Sequence, residues 1–290
     1  MIEYTGAVYR PPSEAYSFIL QVTLGCSHNK CSFCGIYRDK PFKARTWESI
    51  RHDIDIVAAV QPDVRRVFLA DGDALVLSID RLKRILDYLN DKFPALERVS
   101  IYVFGPNFRK KSVADLEELV ARKLTMGYLG LESGSDAVLE RINKGCSTQD
   151  MIDGVAKMHA AGMKTSVIAL LGIGGTALSE EHAAGTAKVV SAMNPTFLSF
   201  LTVTVLQNTE LYQEQLSGDF ILPDEKGFLR ELRSILAGVD LHKCIFRTNH
   251  ASNYLPLRGV LNRDRDSLVA AIDAALNDEH PLRPEWMRGL

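Results

Sequence analysis

The stretch Phe18-Ile19-Leu20-Gln21-Val22-Thr23-Leu24-Gly25-Cys26-Ser27-His28-Asn29-Lys30-Cys31-Ser32-Phe33-Cys34 decides how this chain is read. Its first seven residues form an apolar run of strand length, and the run feeds directly into a loop with three cysteines inside nine residues. Three thiolates that close can face one metal centre. A [4Fe–4S] cluster held by only three of them keeps one iron open to a small molecule. Two other readings fit the spacing: part of a zinc site completed by His28 or a distant residue, and inert buried thiols. A zinc site usually shows two CxxC-like pairs, and the remaining cysteines, Cys146 and Cys244, stand alone.

Working outward, strands and helices alternate. Thr46 is placed to cap a helix over Trp47 to Val60. Arg66–Ala70 reads as the second strand, with a helix over Ile79 to Asn90. Val99–Phe104 is the third strand, followed by a helix over Val113 to Arg122. Gly127–Leu131 is the fourth, with helical segments over Asp136–Ile142 and Thr148–Ala161. Lys164–Leu171 is the fifth, with a helix from Ser179 to Met193, and Phe197–Leu206 is the sixth. Short, nearly continuous apolar strands are those of a parallel sheet covered on both faces. Regular repetition implies right-handed crossovers. Six βα units are too few for a complete eight-stranded barrel, so the expected fold is α/β, a partial (β/α)6 TIM-like barrel. Residues 1–212 form that barrel, and 213–290 form a helical and loop extension of the same globular unit.

In parallel sheets ligands bind outside the carboxyl ends of the strands. The residues that follow those ends are the cysteine loop, Asp71-Gly72-Asp73, Glu132-Ser133-Gly134-Ser135, Gly172-Ile173-Gly174-Gly175 and Gln207-Asn208-Thr209-Glu210. Any one alone is an ordinary βα turn. Together, on one rim with three thiols, they favour a cofactor site.

Composition narrows the class. With 290 residues, 46% hydrophobic and 24% charged, the chain can bury a full core. A net charge of −2 gives no global reason to expect nucleic acid or an anionic membrane, and the run Arg109-Lys110-Lys111 reads as a solvated loop face. No apolar run reaches membrane-spanning length. Met1-Ile2-Glu3-Tyr4 carries no signal-peptide pattern. Five cysteines, three of them clustered, fit a reducing cytoplasm better than a disulfide framework.

In this order, over roughly residues 17–212, the motifs resemble those of the radical S-adenosylmethionine (radical SAM) superfamily. The family's Cys-x-aromatic-Cys ending is matched by Cys31-Ser32-Phe33-Cys34, although four residues rather than the usual three separate Cys26 from Cys31. Asp71-Gly72-Asp73 stands where the family carries Gly-Gly-Glu, whose backbone binds the methionyl amino group. Glu132, and Lys144 twelve positions later, resemble the Elp3/MiaB-like branch and the oxygen-independent coproporphyrinogen oxidases. There the first contacts ribose and the second approaches the methionyl carboxylate. Gly172–Gly175 lacks the proline of that branch's Gly-Leu-Pro-Gly, and the backbone near Val205 corresponds to the segment beside adenine.

The resemblance implies a [4Fe–4S] cluster on Cys26, Cys31 and Cys34, with Phe33 as an apolar wall. It also implies S-adenosylmethionine as the second cofactor and an external one-electron reductant of flavodoxin or ferredoxin type. A 5′-deoxyadenosyl radical would then abstract hydrogen from a small-molecule or peptide substrate. Substrate contacts are expected between His242 and Tyr254, a polar stretch read as a loop capping the barrel, with Arg247, His250, Asn253 and Tyr254 as candidates. Two spare cysteines are too few for an auxiliary cluster. A tRNA-modifying enzyme of the same chemistry is an alternative, for which a basic, aromatic-interleaved surface is missing. A non-enzymatic zinc module is the third reading.

Overall fold

Helices begin where side chains can take up their free N–H groups. In the computed structural model, which describes residues 2–289, Thr46 Oγ1 accepts from Ser49 N at 3.3 Å. Ser78 Oγ accepts from Arg81 N at 3.4 Å, and Asp224 Oδ1 from Gly227 N at 2.6 Å. Ser112 and Asp115 form a reciprocal capping box. The elements run β1 (Phe18–Gln21), β2 (Thr23–Leu24), β3 (Lys43–Ala44), α1 (Trp47–Val60), β4 (Arg66–Ala70), α2 (Ile79–Lys92), β5 (Arg98–Val103), α3 (Val113–Ala121) and β6 (Leu124–Glu132). They continue with α4 (Asp136–Arg141), α5 (Thr148–Ala160), β7 (Lys164–Leu171), α6 (Ser179–Met193), β8 (Phe197–Thr202), α7 (Glu210–Ser217), α8 (Glu225–Gly238), β9 (Cys244–Arg247), β10 (Arg258–Leu261) and α9 (Arg265–Leu276).

One eight-stranded sheet has the order β1-β4-β5-β6-β7-β8-β9-β10. β1, β4, β5 and β6 pair in parallel, as do β7, β8 and β9, while β10 returns antiparallel to β9. The six expected βα units are present in order, and the fold is α/β of the partial-barrel class. Val67, Phe68, Leu69 and Ala70 of β4 are all fully buried, which is why this strand reads as an unbroken apolar run. On α2, Leu82, Ile85, Leu86 and Leu89 are buried at spacings of three, four and seven along one stripe.

Three details differ from the sequence expectation. The first strand does not continue from Phe18 to Leu24. It breaks at Val22, and Thr23–Leu24 pair antiparallel with Lys43–Ala44, so the chain returning from the cysteine loop takes over the ladder. Arg45 N–H donating to Val22 O at 3.1 Å closes that return. A helix absent from the sequence reading, α7, starts at Thr209, whose Oγ1 accepts from Tyr212 N at 3.4 Å. The stretch from His242 to Tyr254 is not a loop throughout: Cys244 and Phe246 alternate inward and are fully buried, which makes β9 a seventh parallel strand.

The chain divides into two compact units, and the division runs through β6, α5 and β7. The first comprises residues up to Asn29, Ile36–Leu129 and Asp153–Thr165. The second comprises Lys30–Gly35, Gly130–Ile152 and Ser166 to the C-terminus. Among the described residues no helix is long and apolar enough to cross a membrane.

Candidate active site

In the first unit the segment leading to Cys26 is tied to the end of β4. Gly25 has φ +69°, and a Cβ there would lie 2.3 Å from the Lys40 carbonyl oxygen, so no other residue fits this turn. Gly25 N–H donates to Asp71 Oδ2 at 3.1 Å, and Gly72 N–H donates to Gly25 O at 3.1 Å. Asp71 is 0% exposed, and its carboxylate also accepts from Gln21 Nε2 at 3.2 Å and Lys40 Nζ at 3.1 Å. This carboxylate is fully used inside the protein, where it locks the start of the cysteine loop. Asp73 acts similarly one step on, accepting from Ser27 Oγ and Asn107 Nδ2. Burial lifts its carboxyl to about 6 against the pull of those two bonds. Both acidic departures from Gly-Gly-Glu therefore clamp loops, leaving Gly72 at the loop centre.

In the second unit Cys31 and Cys34 share one tight turn, with Cys34 N–H donating to Cys31 O at 3.1 Å. Ser32 between them anchors the turn twice: its N–H donates to Ile142 O at 2.9 Å, and its carbonyl accepts from Leu211 N at 3.0 Å. Phe33 is half-buried, as is Val205 in the irregular stretch past β8. All three clustered cysteines are half-buried.

Glu132 and Lys144 meet. Lys144 Nζ donates to Glu132 Oε1 at 2.8 Å, with side-chain exposures of 10% and 12%. Lys144 is placed by the end of α4: Asn143, at φ +51°, donates to Glu140 O, and Lys144 N–H reaches back to Leu139 O at 2.9 Å. That pair of bonds is a Schellman motif, with Lys144 the second residue past the cap. Glu132 has φ +59°, a left-handed conformation that costs on the order of 1–3 kcal/mol for a non-glycine residue. A Cβ on Gly130 would lie 2.4 Å from Glu132 Oε1, so a larger residue there would displace the Glu132 carboxylate from its present place. Burial opposes the Lys144 charge, but Glu132 and Cys31 outweigh it and hold the ammonium above its ordinary pKa.

The four expected substrate residues are engaged by the protein itself. Arg247 Nη1 donates to Phe246 O at 2.6 Å. His250 Nδ1 pairs with Ser252 Oγ at 2.9 Å, and Tyr254 hydroxyl donates to Glu285 at 2.9 Å. Asn253 is buried; its Nδ2 donates to Phe200 O and Thr248 O at 2.7 and 3.0 Å, and its Oδ1 accepts from Thr202 Oγ1 at 3.1 Å. Asn253→Ala strands three buried polar groups, and urea unfolding should show a loss of about 3 kcal/mol. A loss under about 0.5 kcal/mol, the scale of an ordinary surface change, would contradict this reading.

Several buried ionisable residues escaped the sequence reading, and two of them lie close together in the second unit. Glu231 on α8 and His182 on α6 are 2% and 0% exposed. Burial raises the Glu231 carboxyl from 4.5 to about 7 and lowers His182 to about 4. The sign follows from the folded Glu231 holding its proton where the unfolded chain has released it. Its contribution to stability therefore declines as pH rises from 4.5 to about 7 and is flat above. Glu231→Gln removes that decline, so the stability difference between the two proteins should change by about 3 kcal/mol across the window. Parallel pH profiles would contradict it.

A sequence profile described as the Radical SAM superfamily matches residues 20–187. The chain belongs to the radical SAM superfamily. Its similarity to the heme chaperone HemW of Bacillus subtilis (strain 168) is 22% identity over 184 residues, 63% of this chain and 48% of that one. The chain thus spans about half the length of that relative. Among solved structures, the radical SAM coproporphyrinogen III oxidase HemN of Escherichia coli superposes with a TM-score of 0.57 at 19% identity, over 76% of this chain and 51% of that chain. Elp3 of Methanocaldococcus infernus gives 0.51 at 17% over 91% and 64%. The cobalamin- and [4Fe–4S]-bound methyltransferase TsrM of Kitasatospora setae gives 0.56 at 19% over 71% and 41%. These likenesses show a shared fold. Radical SAM proteins are enzymes that use a [4Fe–4S] cluster and S-adenosylmethionine, and they draw electrons from an external donor.

The residues present fit those groups. The donor set is three thiols within nine residues of sequence, two of them held by one tight turn. Ser32, which follows Cys31 in sequence, has its Oγ buried with no hydrogen-bond partner. Among the described residues no three His, Cys, Asp or Glu side chains converge as they do on a single ion, whereas a four-iron cluster takes its thiolates on separate irons. Cys244 is unsuited as a ligand: burial pushes its thiol up to about 12.

Proposed function

We propose that this chain is a radical SAM enzyme that cleaves S-adenosylmethionine reductively to abstract hydrogen from a small-molecule or peptide substrate. Cys26, Cys31 and Cys34 would hold the cluster, and Glu132, Lys144, Phe33, Val205 and the Asp71-Gly72-Asp73 turn would hold S-adenosylmethionine. When bound, cluster and cofactor supply one-electron cleavage of a sulfonium and an organic radical. The observation that carries the reading is the nearly buried Glu132–Lys144 pair at 2.8 Å.

The chain's own residues bind and orient. The Lys144 ammonium would face a carboxylate as a charge-assisted donor, and Glu132 would accept from ribose hydroxyls with its second oxygen. Phe33 and Val205 contribute apolar surface that limits water around the reacting atoms. Asp71 and Asp73 fix the turn around Gly72, so its backbone is presented rather than its acidic side chains. The electron donor is proposed to be of flavodoxin or ferredoxin type. Net charge −2 lends a tRNA substrate no support, and the family assignment removes the ground for a zinc module.

The test is spectroscopic. Anaerobically reconstituted and reduced protein should show a [4Fe–4S]⁺ electron paramagnetic resonance signal that changes when S-adenosylmethionine is added. A signal indifferent to S-adenosylmethionine would overturn the reading.

A further inference from the structure

The roles proposed above leave a buried polar chain in the second unit unused. It starts on α8, where the Glu231 carboxylate accepts from Gly172 N–H at 2.6 Å and from Ser179 Oγ at 2.7 Å. Its Oε2 lies 3.9 Å from His182 Nε2, which is buried without a hydrogen-bond partner. The other ring nitrogen, Nδ1, is 2.8 Å from Ser133 Oγ and 3.5 Å from Thr186 Oγ1. Ser133 follows Glu132 directly.

The tautomer follows from these bonds. Ser133 Oγ accepts Ser135 N–H at 3.1 Å, and Thr186 Oγ1 accepts Gly134 N–H at 2.9 Å. Each hydroxyl therefore has its own proton to give, and both give toward Nδ1. The ring proton then sits on Nε2, and the group it faces is Glu231. There is no slack in the packing around this link: a Cβ on Gly134 would lie 2.4 Å from the backbone of Gly185 and Thr186, so α6 abuts the turn after Glu132 backbone to backbone. Ser135 Oγ donating to Glu181 at 2.5 Å adds a second tie between the same two segments.

We propose that His182 and Glu231 are positioning residues for S-adenosylmethionine, holding the turn that carries Glu132 and the loop beginning at Gly172 at one fixed spacing. The inference rests on the proposed cofactor role of Glu132. Neither side chain touches the cofactor. Glu231 acts through the Gly172 N–H and through His182, and His182 acts through Ser133. A buried polar network rigidifies the segments its hydrogen bonds join, and a site built on it loses precision when one member is cut.

Two variants test this at opposite ends of the chain. Glu231→Gln keeps the shape on α8 but changes the group facing Nε2. Ser133→Ala leaves both helices intact and cuts the link beside Glu132. In reconstituted protein of matched iron content, calorimetry should show S-adenosylmethionine affinity weakened about tenfold in each. The KM for S-adenosylmethionine should rise while kcat for 5′-deoxyadenosine formation changes less. A purely structural role predicts lower melting temperatures with affinity and KM within about twofold of wild type in the folded protein, and that result overturns the inference. Should Glu231→Gln fail to fold, Ser133→Ala decides alone. Wild-type protein that binds no S-adenosylmethionine would refute the proposed function instead, which is a different outcome.

Discussion

Replacing Cys31 with Ala is expected to strip most of the iron and the visible chromophore from anaerobically reconstituted protein. Cys31 and Cys34 are fixed by one tight turn, and Ser32 ties that turn to Ile142 and Leu211. Removing the Cys31 thiol leaves the turn in place and takes away one thiolate of three, so the loss should be of metal and not of fold. Cys26→Ala and Cys34→Ala should behave alike. Cys244→Ala is the control, since its buried thiol, with a pKa near 12, has no part in ligation; iron should be retained. Full cluster content in Cys31→Ala would contradict the ligand assignment.

The second large effect is expected at the Glu132–Lys144 pair. Lys144→Met leaves the Glu132 carboxylate nearly buried without its cation, and breaking such a pair from one side costs about 3–5 kcal/mol when desolvation is complete. With exposures of 10% and 12%, the lower end of that range is expected here. The cofactor loses as well: each charge-assisted bond is worth about 1.5–3 kcal/mol of affinity. The double variant Glu132→Gln/Lys144→Met separates the two losses. It should recover stability, because no buried charge is left alone, yet still fail to bind S-adenosylmethionine by calorimetry. Unchanged affinity in both single variants would mean the pair is a structural ion pair only.

What the sequence made legible follows from what is local. Strand β4 announces itself because Val67 to Ala70 are buried on both faces. α1 announces itself through its cap at Thr46, and the structure adds caps of the same local kind at Ser78 and Ser112, each acting within three residues. The twelve-residue offset from Glu132 to Lys144 came from the family resemblance, and in the structure one short helix and its Schellman cap span it. The break at Val22 was not, since it depends on a strand returning twenty residues later. β9 was hidden by its polar neighbours: only Cys244 and Phe246 carry its inward alternation. His182 and Glu231 look like ordinary surface positions on two amphipathic helices, and only the close packing of α6 on α8 buries them together. Asn253 misled in the opposite direction. A polar residue in a polar stretch reads as available to substrate, whereas its amide is wholly committed to backbone and Thr202.

The central claim is reductive cleavage of S-adenosylmethionine by this chain, and mass spectrometry of the reaction mixture tests it most directly. Protein reconstituted anaerobically with iron and sulfide, then given S-adenosylmethionine and dithionite, should form 5′-deoxyadenosine and methionine in equal amounts. The Cys31→Ala protein under the same conditions should form neither. Absence of 5′-deoxyadenosine from wild-type protein that carries a full [4Fe–4S] cluster and binds S-adenosylmethionine would contradict the account.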